Sequence, residues 1–196
     1  MNDVEDITPP QPIPYPRSEF IKRLYRIPIL LYRLGLSSMI GKYILILSTF
    51  GRNSGKTRRT PVEYFRWQDR IFVMSGFGEN PDWYKNLLAN PHVTIHSNQR
   101  YLCAIARKPE TEKEWEGVVA YLKSSPITKL TIPDLIGRLD KPEVRQAIKS
   151  WPVFTFDPTE ETCPPHLEID LLWCWPLILL GLALKIFTGW LCHHKN

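Results

Sequence analysis

Residues 43–75 read YILILSTFGRNSGKTRRTPVEYFRWQDRIFVMS, and the fold turns on how this stretch divides. Tyr43 to Phe50 is a largely apolar run with the length of a buried strand. Thr60 to Trp67 alternates, with Val62, Tyr64 and Arg66 on one side and Glu63 and Phe65 on the other. Gln68-Asp69 makes a tight turn into Arg70 to Ser75, so these last two runs form a hairpin. Between the first two strands lies a loop bracketed by Gly51 and Gly55, with the cations Arg52, Lys56, Arg58 and Arg59 and no acid among them. Backbone N–H groups, a hydroxyl and guanidinium forks suit a phosphate or carboxylate, with a solvated basic turn as the plainer alternative. A Walker loop is excluded. Only Arg52, Asn53 and Ser54 separate the glycines, and Pro61 with a β-patterned strand follows where a helix would have to start.

Downstream, Asn80-Pro81-Asp82-Trp83 opens a short helix, with Asn80 as cap and Pro81 in the first helical position, ending at Asn90-Pro91. Tyr84 and Leu87 face the core, and by spacing alone Trp83 reads as core too. His92 to Ser97 and Arg100 to Arg107 are two more strands joined across Asn98-Gln99. Thr111 and Glu114 have capping-box spacing at the head of a helix over Thr111 to Leu122, and Lys141 to Ser150 is a further helix. Val153 to Phe156 is the last strand. Six short strands with intervening helices imply an α+β chain built on a small closed or half-closed barrel.

Upstream, Phe20 to Met39 has helical apolar spacing with cations on the remaining face: one or two amphipathic helices bent at Pro28. Such a face suits a membrane surface or a cap over one barrel end. Met1 to Pro16 is Pro-rich, lacks the pattern of a signal peptide, and reads as an extended or disordered arm. Leu171 to Cys192 (LLWCWPLILLGLALKIFTGWLC) is apolar apart from Lys185 and carries Trp173, Trp175 and Trp190 near its ends, the pattern of a membrane-anchor helix. Burial against the barrel is the other reading. The expected organisation is an arm over 1–16, a barrel domain over 17–160, a linker over 161–170 and an anchor over 171–192.

The chain has 196 residues and a formal net charge of +5, which favours a small anionic partner over nucleic acid. Cys103, Cys163, Cys174 and Cys192 form no CxxC pair and no zinc-ligand spacing. Neither a disulfide framework nor a metal site is expected, and the compartment reads as reducing.

Two segments together resemble the deazaflavin (F-420)-dependent nitroreductase-like family. LSTFGRNSGKTRRTPVEYF resembles its first signature, Thr-x-Gly-Arg-x-Ser/Thr-Gly-x-x-Arg followed by a Pro-containing strand. NPDWYKNLLANPHVTI resembles the second, Pro-x-Trp-Tyr-x-Asn-Leu-x-Ala-Asn-Pro-x-Val. The resemblance implies a split β-barrel, related to flavin-reductase barrels, that binds coenzyme F-420. It implies that Arg52, Ser54 and Arg58 meet the cofactor's anionic tail, with Asn53, Gly55, Thr60 and Pro61 beside them. Ser75 and Gly76 would border the ring, and Trp83 and Asn86 would line the pocket. Asn53 and Gly76 stand where members often carry cations.

The implied function is hydride transfer to a small apolar acceptor such as a quinone, activated alkene or nitro compound. No acid–base pair is evident, and Tyr121 is the one candidate proton donor. The alternatives are an FMN-dependent barrel and a non-catalytic, membrane-anchored module binding cofactor or lipid. The expected partners are the acceptor and membrane lipid, through the C-terminal helix and the N-terminal amphipathic segment. The chain is expected as monomer or homodimer, membrane-associated, with its catalytic domain facing the cytoplasm.

Overall fold

The computed structural model describes residues 18–131 and 133–193. The arm expected over 1–16 lies outside the described residues. Six strands close into one antiparallel barrel: β1 (Ile44–Phe50), β2 (Thr57–Trp67), β3 (Arg70–Met74), β4 (His92–Ser97), β5 (Arg100–Arg107) and β6 (Val153–Pro158), in the order β1-β2-β3-β6-β5-β4. The expected α+β barrel is therefore the fold. Period-2 patterning drives it. Leu45, Leu47, Val62, Tyr64, Val73, Val93, Ile95, Ala104, Phe154 and Phe156 alternate inward and share one buried cluster. Gln68 and Asn98 take positive φ values of 53° and 54° in the two tight hairpins, the conformation such turns require.

The pairing is uneven along β2. β1 pairs with it from Thr57 to Glu63, whereas β3 pairs only from Tyr64 to Trp67. The first half of β2 thus has a β-neighbour on one side only, at the end of the barrel where the glycine loop emerges.

Helices surround this frame: α1 (Glu19–Leu24), α2 (Ile27–Arg33), α3 (Ser37–Ile40), α4 (Asp82–Ala89), α5 (Glu112–Ser124), α6 (Pro126–Thr131), α7 (Pro133–Arg138), α8 (Pro142–Ile148) and α9 (Trp175–His193). Helix α4 plugs one end of the barrel, its Trp83, Tyr84 and Leu87 joining the interior cluster. Its entry differs from expectation: Pro81 is the cap, while the Asn80 side chain donates to the Phe77 carbonyl. Pro28 likewise starts α2 instead of bending a longer helix, because its fixed φ suits a first turn. The capping box of α5 forms as read, Thr111 and Glu114 each accepting the other's N–H at 3.2 Å. A second cluster packs α5 and α8 on the outer wall through Phe72, Trp115, Val118, Leu122, Val144, Ile148 and Val153. The short helices α6 and α7 were not anticipated, each being about one and a half turns with Pro at its start.

The cysteine expectation is corrected. Cys103 on β5 and Cys163, past the end of β6, form a disulfide across 60 residues. Sequence spacing could not show this, because only the barrel brings the chain after β6 beside β5. The segment expected as a linker, 161–170, is a strap on the barrel wall. Thr94 donates to the Pro164 carbonyl, Arg59 to that of His166 at 3.0 Å, and Leu167 is buried with Tyr32 and Ile46. The strap ends at Arg33, whose guanidinium holds Asp170 bidentately at 2.7 Å.

The C-terminal helix starts later than expected. Leu172–Cys174 forms a single 3-10 turn, and the Trp175 indole donates to the Leu34 carbonyl at 3.0 Å. Among the described residues no helix is long and apolar enough to cross a membrane. The 19 residues of α9 reach about 28 Å, against a bilayer core of about 30 Å, and Lys185 interrupts them. Nor is α9 buried on the barrel: Leu177, Leu179, Leu180 and Ile186 are exposed.

Candidate functional site

The glycine loop is held by its own backbone. Ser54 and Gly55 donate to the Gly51 carbonyl at 3.0 and 2.7 Å, and Gly51 donates to the Lys56 carbonyl at 2.9 Å. Both glycines are needed. Gly55 sits at φ +64°, and a Cβ on Gly51 would stand 2.9 Å from Ser54 Oγ and 3.3 Å from Arg58 Cγ. Most of the N–H groups expected to be free are therefore spent inside the turn, with Lys56 N–H donating to Ser54 Oγ at 3.4 Å. What the loop presents outward is cationic side chains.

Those cations differ in their partners. Arg52 Nη1 reaches Asp82 Oδ1 at 2.9 Å and Asn86 Oδ1 at 3.2 Å. Arg58 and Lys56 are exposed and form no ion pair among the described residues. Strand alternation puts Arg58 and Thr60 on the face that carries Val62 and Tyr64, whereas Arg59 leaves by the outer face toward the strap. Two or three guanidinium and ammonium groups left available, beside a closed backbone turn, suit a multiply charged anion.

Helix α4 carries the second signature to the same place. Asn86, 2% exposed, accepts from the Arg52 backbone N–H at 3.2 Å and donates to Thr49 Oγ at 3.2 Å. Thr49 and Asp82 were not among the expected site residues. Asp82 had read only as part of a helix start, so its pairing with Arg52 carried no sequence signal.

Of the expected residues, Arg52, Ser54, Gly55, Arg58 and Asn86 gather around this loop, and Asn53 is exposed within it. Thr60 and Pro61 stand opposite Leu47 and Ile46, half-buried. Ser75 and Gly76 follow β3, which runs toward the glycine-loop end antiparallel to β2 but stops at Met74, one step past the Tyr64–Val73 pair and level with Glu63. Ser75 Oγ donates to the Gly78 carbonyl at 2.6 Å, and Gly76 is exposed. Trp83 is 7% exposed and packs edge-on against Tyr84 and Phe154, so its place is the barrel core.

Tyr121 is not brought to the loop. Its ring stacks on Phe65 at 4.1 Å and its hydroxyl donates to Glu63 at 3.1 Å, six residues along β2 from Thr57, or about 20 Å. Burial, then the Glu63 charge, pushes this phenol up to about 12. Among the described residues no group of acids, histidines and cysteines could hold a metal ion.

A cavity of about 540 Å³ opens elsewhere, on the outer face of β2, lined by Arg33, Thr57, Arg59, His166 and Asp170 among others. Its arginines are already engaged, one with Asp170 and the other with the His166 carbonyl. It offers an anion less than the loop does.

Comparison with known proteins bears on this site. Residues 33–124 match the family model described as F420H2-dependent quinone reductase, a span that holds both signatures, the loop and α4. A curated relative from Mycobacterium tuberculosis, named as an F420H2-dependent quinone reductase, is 35% identical over 77 residues. That alignment takes in 36% of this chain and 65% of the relative, so the chain spans just under two thirds of the relative's length. Among solved structures, an F420-H2-dependent reductase shares 22% identity at a TM-score of 0.40, covering 59% of this chain and 95% of its own. A chain described as a domain-swapped dimer shares 19% at 0.42, covering 71% and 100%. At those scores the barrel stands on its own strand pairing.

Proposed function

We propose that this chain, whose residues 33–124 match the F420H2-dependent quinone reductase family model, is an oxidoreductase of that family that binds coenzyme F-420. The observation that carries the reading is the glycine loop, where Arg58 and Lys56 lack an acidic partner among the described residues, beside Arg52 and a closed backbone turn. That donor set fits a cofactor with a phosphate and an acidic tail. Arg52, Ser54 and Arg58 hold the anionic tail, with Asn53, Gly55 and Lys56 at its edge. Thr60 and Pro61 stand beside the tail on β2, and Ser75 and Gly76 border the ring from the end of β3. Trp83 shapes the floor from the barrel core.

The bound cofactor supplies the hydride in its reduced form. The protein fixes donor against acceptor and limits water at the barrel end. With Tyr121 committed to Glu63, the proton for the reduced product comes from solvent. The acceptor is a small apolar molecule, a quinone first, with activated alkenes and nitro compounds as further candidates.

Lipid contact is the finer reading of the terminal helices. Exposed Leu177, Leu179, Leu180 and Ile186 of α9, and Phe20, Leu24 and Tyr25 near Arg23 and Arg26, favour a bilayer surface. Flotation with anionic and neutral vesicles tests it, and failure to float with either removes the reading.

The central test is a fluorescence titration of the full chain with F-420 and with FMN, followed by oxidation of reduced F-420 with a soluble quinone. Selective, micromolar or tighter F-420 binding with quinone-dependent oxidation is expected. Preference for FMN would move the protein to a flavin-using barrel. Binding without turnover by any quinone, alkene or nitro compound would leave a cofactor-holding module.

A further inference from the structure

We infer that Asn86 is a positioning residue: it presets Arg52 for the anion and does not itself contact the cofactor. The inference rests on the cofactor reading above and deepens it. Every assigned polar contact of the Asn86 side chain points into the protein. Oδ1 accepts from the Arg52 backbone N–H and from Arg52 Nη1, both at 3.2 Å, and Nδ2 donates to Thr49 Oγ at 3.2 Å. An amide oxygen offers two lone pairs, so its acceptor capacity is used. The side chain is 2% exposed and Thr49 fully buried, so neither is presented to solvent where a ligand would approach.

The geometry ties three elements together. Thr49 is near the end of β1, Arg52 sits in the loop, and Asn86 is on α4. One planar amide thus clamps the end of β1 and the start of the loop to the helix that plugs the barrel. An exposed arginine samples many rotamers, and each must be given up when an anion binds. Anchoring the Arg52 backbone and one guanidinium nitrogen removes part of that cost beforehand, leaving the rest of the fork for the ligand. The position needs a donor and a double acceptor on one short side chain. Aspartate keeps only the acceptor, and leucine keeps neither.

A double-mutant cycle on the full chain tests this, with Asn86→Ala, Arg52→Ala and both together, titrated with F-420. Each single variant is expected to weaken binding about tenfold, and the double variant to lose clearly less than the product of the two, because the guanidinium that Asn86 holds is already gone in Arg52→Ala. Additive losses would overturn the inference, since Asn86 would then contribute a contact of its own. A second readout needs no cofactor: amide hydrogen exchange at Arg52. In Asn86→Ala that amide should exchange at least about tenfold faster, while the amide of Ile95 in the barrel wall keeps its protection. Unchanged exchange at Arg52 also overturns the inference. If wild-type protein does not bind F-420, the cofactor reading falls, and the exchange experiment alone still decides whether Asn86 holds Arg52. Should Asn86→Ala fail to fold, Asn86→Asp serves instead. Its carboxylate still accepts, so Arg52 must stay protected, and loss of protection there rejects the clamp.

Discussion

Two clusters of arginines in this protein meet different fates. At the junction of β3, β5, β6 and α5, Arg70 and Arg107 share Glu114 and Asp157. Arg107 binds Glu114 at 2.7 Å and Asp157 at 2.6 Å, while Arg70 binds Asp157 at 2.6 Å and approaches Glu114 at 3.4 Å. Glu114 also accepts the N–H groups of Glu110 and Thr111. At the glycine loop, by contrast, Arg52 has one exposed acid, and Arg58 and Lys56 have none among the described residues. The first cluster is charge-balanced and tied into secondary structure. The second carries surplus positive charge facing solvent. The difference separates cations that hold a fold from cations available to a ligand, although both are arginines at strand ends.

Removing the acid at the centre of the balanced cluster should have the largest effect. Glu114→Ala leaves Arg70 and Arg107 to share Asp157 alone in a partly buried site and removes the α5 capping box, which should cost about 3 kcal/mol or more. Urea denaturation measures it, and a loss under about 1 kcal/mol would show that Asp157 alone suffices.

Acid should dissolve the same cluster. Hydrogen bonds from Arg107 hold the Glu114 carboxyl down at about 2, from an ordinary 4.5, and Arg107 also lowers Asp157. Folded-state values below the unfolded ones mean the stabilisation is complete above pH 4.5 and is lost as pH falls toward 2. The difference in denaturation midpoint between wild type and Glu114→Gln should therefore stay constant from neutral pH to about 5 and shrink below it. Equal slopes in the two proteins would remove Glu114 from the account.

The unbalanced cluster should behave in the opposite sense. Arg58→Ala is expected to leave stability within about 0.5 kcal/mol and to weaken F-420 binding about tenfold or more. A stability loss without an affinity loss would erase the contrast between the two sites. Smallest is Asp82→Asn, which frees Arg52 from its exposed acid. F-420 should bind about twofold tighter at low salt, and the gain should vanish near 0.5 M salt, where exposed charges are screened. A gain that survives high salt would mean that Asp82 acts through shape.

The expected start of the C-terminal helix and the cysteine reading were overturned for one reason. Leu171–Cys174 was expected to continue the apolar helix, but there the chain turns and binds the N-terminal helices through Trp175 and, just before it, Asp170. Cys103 and Cys163 looked unrelated because 60 residues separate them, yet the strap lays one beside the other. Both outcomes depend on contacts between distant segments.

Local pattern was enough for the strands, the two tight hairpins, the plug helix and the α5 capping box. Each is decided within about ten residues by alternation, turn chemistry or capping. The paired signatures, also local, pointed to the family and to the loop's cations. Only the tertiary structure separated Arg58, which has no ion-pair partner among the described residues, from Arg59, which is spent on the strap, although the two are adjacent. It alone turned Asn86 into a clamp and put Tyr121 far along the strand from the loop. A residue's type and spacing state which bonds it can make; which of them it has left for a ligand depends on what the fold sets beside it.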